Sequence, residues 1–143
     1  MAKRKDQPAA SPAPERKWYE IRAQGDAAEI LIYGDIGESW WGESVTASQF
    51  VADLNALGGV PVTVRINSYG GAVSDGLAIF NAMRRYAGDV TVVVDGVAVS
   101  AASLIAMGGD SIQMNENSLM MIHAPWGVTI GNSVDHRAAA DML

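Results

Sequence analysis

Two spacings of apolar residues alternate along this chain, and together they outline its elements. Trp18 to Arg22 and Ala28 to Tyr33 read as two short strands, the second ending in the turn Gly34-Asp35-Ile36-Gly37. Thr46 then stands where a helix N-cap belongs, and Phe50, Val51, Leu54 and Leu57 follow at helical spacing until Gly58-Gly59 stops the run. Pro61 to Asn67 is a strand, Ser68-Tyr69-Gly70-Gly71 a turn, and Ala72 to Tyr86 a helix with Leu77, Ile79, Phe80 and Met83 inward. Gly88-Asp89 breaks that helix. Val90 to Val94 is strongly apolar and reads as a buried strand. The stretch Gly96-Val97-Ala98-Val99-Ser100 after it reads as a tight turn, entering a helix that begins at or just before Ser100. Ser111 to Met114 and Leu119 to Ile122 are short strands on either side of Asn115-Glu116-Asn117, and Val134 onward is helical.

Strands alternating with helices through short connections predict an α/β domain with a largely parallel sheet. In such sheets the loops after the strands collect along one edge, where sites form. Ser68–Gly71, Gly96–Ser100 and His123 all fall at strand C-termini and so are expected on that edge. Trp40-Trp41 lie in a loop, placed to cover a groove, to meet a neighbouring subunit or simply to cap the core.

Composition narrows the classes. A chain of 143 residues, 49% hydrophobic with 15 glycines, suits one tightly turned domain. A net charge of −6 argues against nucleic acid or an anionic membrane as a partner. The absence of cysteine removes a thiol nucleophile, thiolate metal ligands and disulfides together, and suits a reducing compartment. No apolar run reaches membrane-spanning length, and the charged N-terminal segment lacks the apolar stretch of a signal peptide. Residues 1–16, rich in charge, Pro and Ala, are expected to form a disordered tail before a folded domain at 17–143. The last residues, Ala138 to Leu143, read as an unfinished helix with no cap or glycine stop, as in a fragment of a longer polypeptide.

Candidate chemistry centres on Ser100. A serine between a buried strand and a helix has its hydroxyl lifted off the strand end, beside the unpaired N–H groups of the helix start. Such N–H groups favour an oxyanion. Of the two histidines, His123 follows a strand and can reach that hydroxyl as a general base, whereas His136 sits beside Arg137 in the terminal helix. Lys3, Lys5 and Lys17 all precede the fold, which leaves no lysine base within it. Ser103 lies on the same helix face as Ser100 and is better explained as a small packing residue. The Ala/Ser run equally suits a helix that merely packs closely on its neighbour. Gly70-Gly71 lets the backbone approach a substrate carbonyl, so it can form an oxyanion cradle, with the N–H of Ala101 as second donor. Two well-separated histidines and scattered carboxylates give no metal-ligand spacing, and no phosphate-loop pattern occurs.

Three blocks, Ile66-Asn67-Ser68-Tyr69-Gly70-Gly71, Gly96-Val97-Ala98-Val99-Ser100-Ala101 and Met121-Ile122-His123-Ala124-Pro125-Trp126-Gly127, resemble the Clp protease proteolytic subunit family. They stand in that family's order and at nearly its spacing, and the likeness runs from about Ala28 to the end. With Gly34-Asp35-Ile36-Gly37-Glu38-Ser39-Trp40-Trp41-Gly42, the pattern looks most like the phage and prophage branch of head maturation proteases. The resemblance implies a ClpP-like serine endopeptidase of the ClpP/crotonase type, a superhelix of ββα repeats with its terminal handle helix cut short here. It implies Ser100 as nucleophile, His123 as base, and oxyanion donors from Gly70, helped by Gly71, and from Ala101. It implies no cofactor, self-assembly into rings, and a peptide bound as an added strand beside residues 70–73. Capsid or scaffold proteins become expected substrates and a Clp-type ATPase an expected partner, in the bacterial cytoplasm or the phage prohead. Tyr69 departs from the family's proline, which loosens the turn before the glycines. The family's triad acid follows the long helix that starts here near Val134, so the third member, an Asp, is expected outside this chain; Asp135 and Asp141 are poor substitutes. The competing readings are a crotonase-type acyl-CoA enzyme, which needs no Ser/His pair, and a catalytically silent ring-forming module.

Overall fold

The computed structural model describes residues 18–37 and 46–143. The expected N-terminal tail and the Trp40-Trp41 loop lie outside the described residues. Strands β1 (Tyr19–Gln24) and β2 (Ala27–Tyr33) form an antiparallel hairpin. Gly25 turns it at φ +62, a conformation glycine adopts without steric cost. From β2 the sheet is parallel: β3 (Val62–Ser68) pairs with β2, and β4 (Val90–Val99) pairs with β3. The far edge of β4 is shared. Its first half pairs with β5 (Ser111–Met114) and its second half with β6 (Leu119–Met121). Helices α1 (Ala47–Ala56), α2 (Val73–Arg85), α3 (Ala101–Ala106) and α4 (Ser133–Met142) complete the α/β fold. None of the described helices is long and apolar enough to cross a membrane.

One buried cluster unites the sheet with α1, α2 and α3. Alternate residues of the parallel strands, Ile30, Ile32, Val64, Ile66, Val92 and Val94, join Phe50, Leu54, Ile79 and Ile105 in it. Trp18 stacks on Phe50 at 5.8 Å, and Tyr19 meets Phe50 edge-on at 5.1 Å, which fastens the hairpin to α1. The Tyr19 hydroxyl donates to Asp53 at 2.7 Å. Burial, reinforced by that carboxylate, pushes its ionisation well above the ordinary tyrosine range.

Four expectations need correction. Leu77 is exposed, because the inward row of α2 is Gly76, Ile79, Ala82 and Met83, and Leu77 lies one step round the helix. Phe80 is only half-buried. Residues 96–99 are strand rather than turn. The register against β3 jumps from Ile66↔Val94 to Ser68↔Ala98, so β4 bulges at Asp95-Gly96 and continues to Val99. Asn67 stitches the bulge by accepting from the Val97 N–H at 3.2 Å, in space that a side chain on Gly96 would fill. Finally, β6 stops at Met121, leaving Ile122 exposed.

On the face of the sheet away from the buried cluster the bulge carries Asp95, whose carboxylate accepts from Arg65, from the Tyr33 hydroxyl at 2.6 Å and from Asn115 at 3.0 Å. Burial acts to raise the Asp95 carboxyl. The hydrogen bonds from Tyr33, Arg65 and Asn115 outweigh it and hold the group below its ordinary value. The stability this contributes is therefore present above the unfolded pKa and is lost as pH falls through the depressed one. Asp95→Asn is expected to cost about 1–2 kcal/mol at pH 7, trimmed by the partial exposure of Arg65. Urea unfolding at pH 7 and pH 3 should show that gap narrowing in acid; a gap that is constant with pH would mean the charge contributes nothing.

Candidate active site

Ser100 sits between β4 and α3 at φ 56, ψ −126, and is the one non-glycine with positive φ among the described residues. For an L-residue this region costs on the order of 1–3 kcal/mol, so the surroundings must hold it. They do so on both sides. The Ser100 N–H donates to Met121 O at 2.9 Å, and Ser100 O accepts from Ser103 N at 2.9 Å and from the Ser103 hydroxyl at 2.6 Å. Ser103, expected only to pack, is thus buried and fastens the turn. Close helix packing is present as well: a Cβ on Gly76 would lie 3.2 Å from the Ala101 Cβ, so α3 presses on α2 at its smallest residues. The N–H of Ala101 finds no acceptor among the described residues.

His123 follows β6 by two residues. The backbone bond between Ser100 and Met121 sets the strand beside the turn, and the His123 Nε2 lies 2.8 Å from the Ser100 Oγ. With Nε2 as acceptor, the ring carries its proton on Nδ1. Among the described residues no carboxylate hydrogen-bonds this imidazole. Asp135 is occupied elsewhere: its carboxylate accepts from the Asn132 N–H at 2.8 Å while the Asn132 side chain caps α4, a reciprocal box that starts the helix at Ser133. His136 and Asp141 are exposed on α4, which buries no residue.

The glycine pair closes the site. Gly70 takes φ +98, and a Cβ built there would lie 2.6 Å from Val99 O, 2.8 Å from the Ser100 Cβ and 2.9 Å from Ala101 N. Its backbone therefore lies directly against the Ser100 turn. Gly71 is clasped from the other side: Ile36 N donates to Gly70 O at 2.8 Å and Ala72 N to Ile36 O at 2.9 Å. In this structure the Gly70 N–H already has an acceptor, the Ser68 Oγ at 3.1 Å, whereas Gly71 N–H and Ala101 N–H have none among the described residues. Of the residues that sequence reasoning named, Ser100, His123, Gly70 and Ala101 come together here, while Gly71, next to Gly70, packs on Ile36. That reasoning put Ser68 on this edge but gave it no role, and it missed the Met121 carbonyl. A serine two residues before a glycine is a recognisable hydroxyl-turn signal for the first. A backbone acceptor leaves no trace in residue identity. No group of three or more His, Asp or Glu able to hold a metal occurs among the described residues.

The chemistry open to this arrangement is acyl transfer. An imidazole nitrogen touches the hydroxyl of a serine with strained backbone, and N–H groups with no acceptor among the described residues stand beside it. Comparison with known proteins points the same way. Residues 15–143 match the Clp protease family. An ATP-dependent Clp protease proteolytic subunit of Ligilactobacillus salivarius is 42% identical over 80 residues, 54% of this chain and 41% of that protein. Subunit 1 of the same protease from Synechococcus sp. (strain CC9902) is 35% identical over 111 residues, 71% of this chain and 56% of that one. The chain thus spans about half the length of the curated relatives it matches. Among solved structures, a ClpP1 point variant from Listeria monocytogenes superposes with a TM-score of 0.60 at 27% identity, covering 80% of this chain and 64% of that one. Fold, motif order and the match over nearly the whole sequence agree: this chain belongs to the Clp protease family.

Proposed function

We propose that the chain is the core of a serine endopeptidase in which Ser100 attacks and His123 moves the proton. The observation that carries this is the 2.8 Å approach of Nε2 to Oγ at a turn lined by Gly70 and Ala101. The Ser100 proton passes to His123 Nε2 as Oγ bonds to the scissile carbonyl carbon. The carbonyl oxygen, now negative, takes hydrogen bonds from the Ala101 N–H and the Gly70-Gly71 backbone. The imidazolium then protonates the leaving amine, and a water deprotonated by His123 releases the acyl group.

An acid on Nδ1 would fix the tautomer and stabilise the imidazolium. No described carboxylate serves, so in this proposal the Asp comes from outside these residues. Residues 17–143 form the peptidase domain, with 1–16 as its tail. The active form is a ring of such chains. Support comes from the apolar residues left uncovered beyond the core, among them Met114, Leu119, Ile122, Ile130 and Val134. Protein substrates bind as an extended strand beside residues 70–73. Capsid or scaffold proteins are the substrates in a phage setting, and a Clp-type ATPase is the partner in a bacterial cytoplasm.

A fluorophosphonate probe tests the assignment. The expected result is a single adduct on Ser100, located by peptide mass spectrometry and blocked by prior treatment with a peptidyl chloromethyl ketone that alkylates His123. Turnover of an acyl-CoA thioester with no adduct would support the crotonase-type reading instead. A chain inert to both would support the silent assembly module.

A further inference from the structure

Ser68 is one of two buried polar side chains among the described residues, 1% exposed, and no step of the proposed reaction uses it. Its hydroxyl proton goes to Gly34 O at 2.6 Å. A lone pair on the same oxygen then accepts the Gly70 N–H at 3.1 Å. One hydroxyl thus ties the end of β2 to the Tyr69–Gly70 peptide, which lies against Ser100.

That peptide needs tying. Gly70 holds φ +98, which only glycine adopts freely, and the Tyr69 side chain is 73% exposed, so it supplies no packing. The nearest other restraint is the bond from Ile36 N to Gly70 O, on the far side of the glycine. Without Ser68 the peptide plane is free to turn over, which would present the Tyr69 carbonyl where the Gly70 N–H now points. A carbonyl dipole there would repel the oxyanion that the site must hold.

We propose that Ser68 is a positioning residue for the oxyanion site. It retains the Gly70 N–H in the resting state and yields it when charge develops on the substrate oxygen. The exchange is favourable because an oxyanion is a far stronger acceptor than a neutral hydroxyl. Ser68 itself makes and breaks no covalent bond, and its proton stays directed at Gly34 O throughout. This role rests on Ser100 being the nucleophile.

Saturation kinetics of Ser100 phosphonylation by the fluorophosphonate probe test the role, since that reaction also drives negative charge into the oxyanion site. Removing a donor outright costs about 10²–10³-fold in rate, and loosening one should cost about tenfold. In Ser68→Ala the expected result is therefore a fall of that size in kinact while KI stays within about twofold, because ground-state binding does not use the donor. A general loss of structure would move both constants. Amide hydrogen exchange on the parent chain needs no variant to fold. Gly70 is expected to exchange slowly, at least about tenfold below its unprotected rate, because its acceptor is buried. A Ser68→Ala chain with the parent kinact, or a parent Gly70 amide exchanging without protection, would overturn the proposal. A parent chain that never reacts at Ser100 would instead overturn the serine-peptidase assignment on which it stands.

Discussion

Ser100→Ala is expected to abolish fluorophosphonate labelling and to lower peptide or ester hydrolysis by about 10⁴-fold or more. No neighbour can replace the lost oxygen. Ser103 is the nearest alternative by sequence, yet its hydroxyl is buried and spends its proton on Ser100 O at 2.6 Å. His123→Ala is expected to do almost as much harm, since it removes the group in contact with Oγ. The double variant should be no worse than either single one, because serine and histidine act as a unit and their losses do not add. Independent, additive losses would mean that the 2.8 Å contact is not the route of the proton. The backbone gives a separate check. Alanine at position 100 keeps the unfavourable φ of 56, whereas glycine tolerates it, so Ser100→Gly should be as inactive as Ser100→Ala but more stable by about 1 kcal/mol. Equal melting temperatures for the two would show that the turn is not strained.

How far the sequence foretold this site follows from the kind of interaction involved. Ser100, His123 and Gly70-Gly71 were visible because each falls where an apolar strand ends, and parallel strands deliver such ends to one edge. The β4 bulge was not visible. Gly96 looked like a turn residue, but the glycine is there because Asn67 occupies the space of its side chain, a contact between residues 29 positions apart. Leu77 misled for a related reason. Its apolar side chain matched a helical stripe, but Gly76 and Ala82 form the buried row because α3 approaches closely, and small residues carry no hydrophobic signal. α4 starts at Ser133, one residue before the expected Val134, because Asn132 and Asp135 form a capping box, a signal that the sequence carries locally. Local rules therefore placed Ser100, His123 and Gly70-Gly71 on one edge, whereas long-range packing decided the details around them.

Gly71→Ala and Gly70→Ala should separate fold from chemistry, though the two residues are adjacent and both take positive φ. At Gly71 a Cβ would stand 2.1 Å from Ile36 O and 2.8 Å from Ile36 N, against backbone that is itself hydrogen-bonded on both sides. Relief requires breaking the Ile36 bridge, which releases the turn after β2 and exposes Ile36, now only 2% exposed. Adding the φ penalty to lost burial and hydrogen bonds gives about 4 kcal/mol, within the range of the most disruptive single changes. For a chain of this size that corresponds to a fall in Tm of about 10 °C. At Gly70 the new Cβ would meet Val99 O, the Ser100 Cβ and Ala101 N, so the movement falls on the Ser100 turn instead. Gly70→Ala should melt closer to the parent and yet lose Ser100 labelling by about 10²-fold or more, since both the attacking oxygen and its oxyanion donors are displaced. Thermal melts and labelling rates on the same two proteins decide the matter. If Gly71→Ala melts with the parent, the Ile36 clasp does not hold the fold together. If Gly70→Ala labels at the parent rate, the glycine does not line the site, and the oxyanion must be held by Ala101 and other donors.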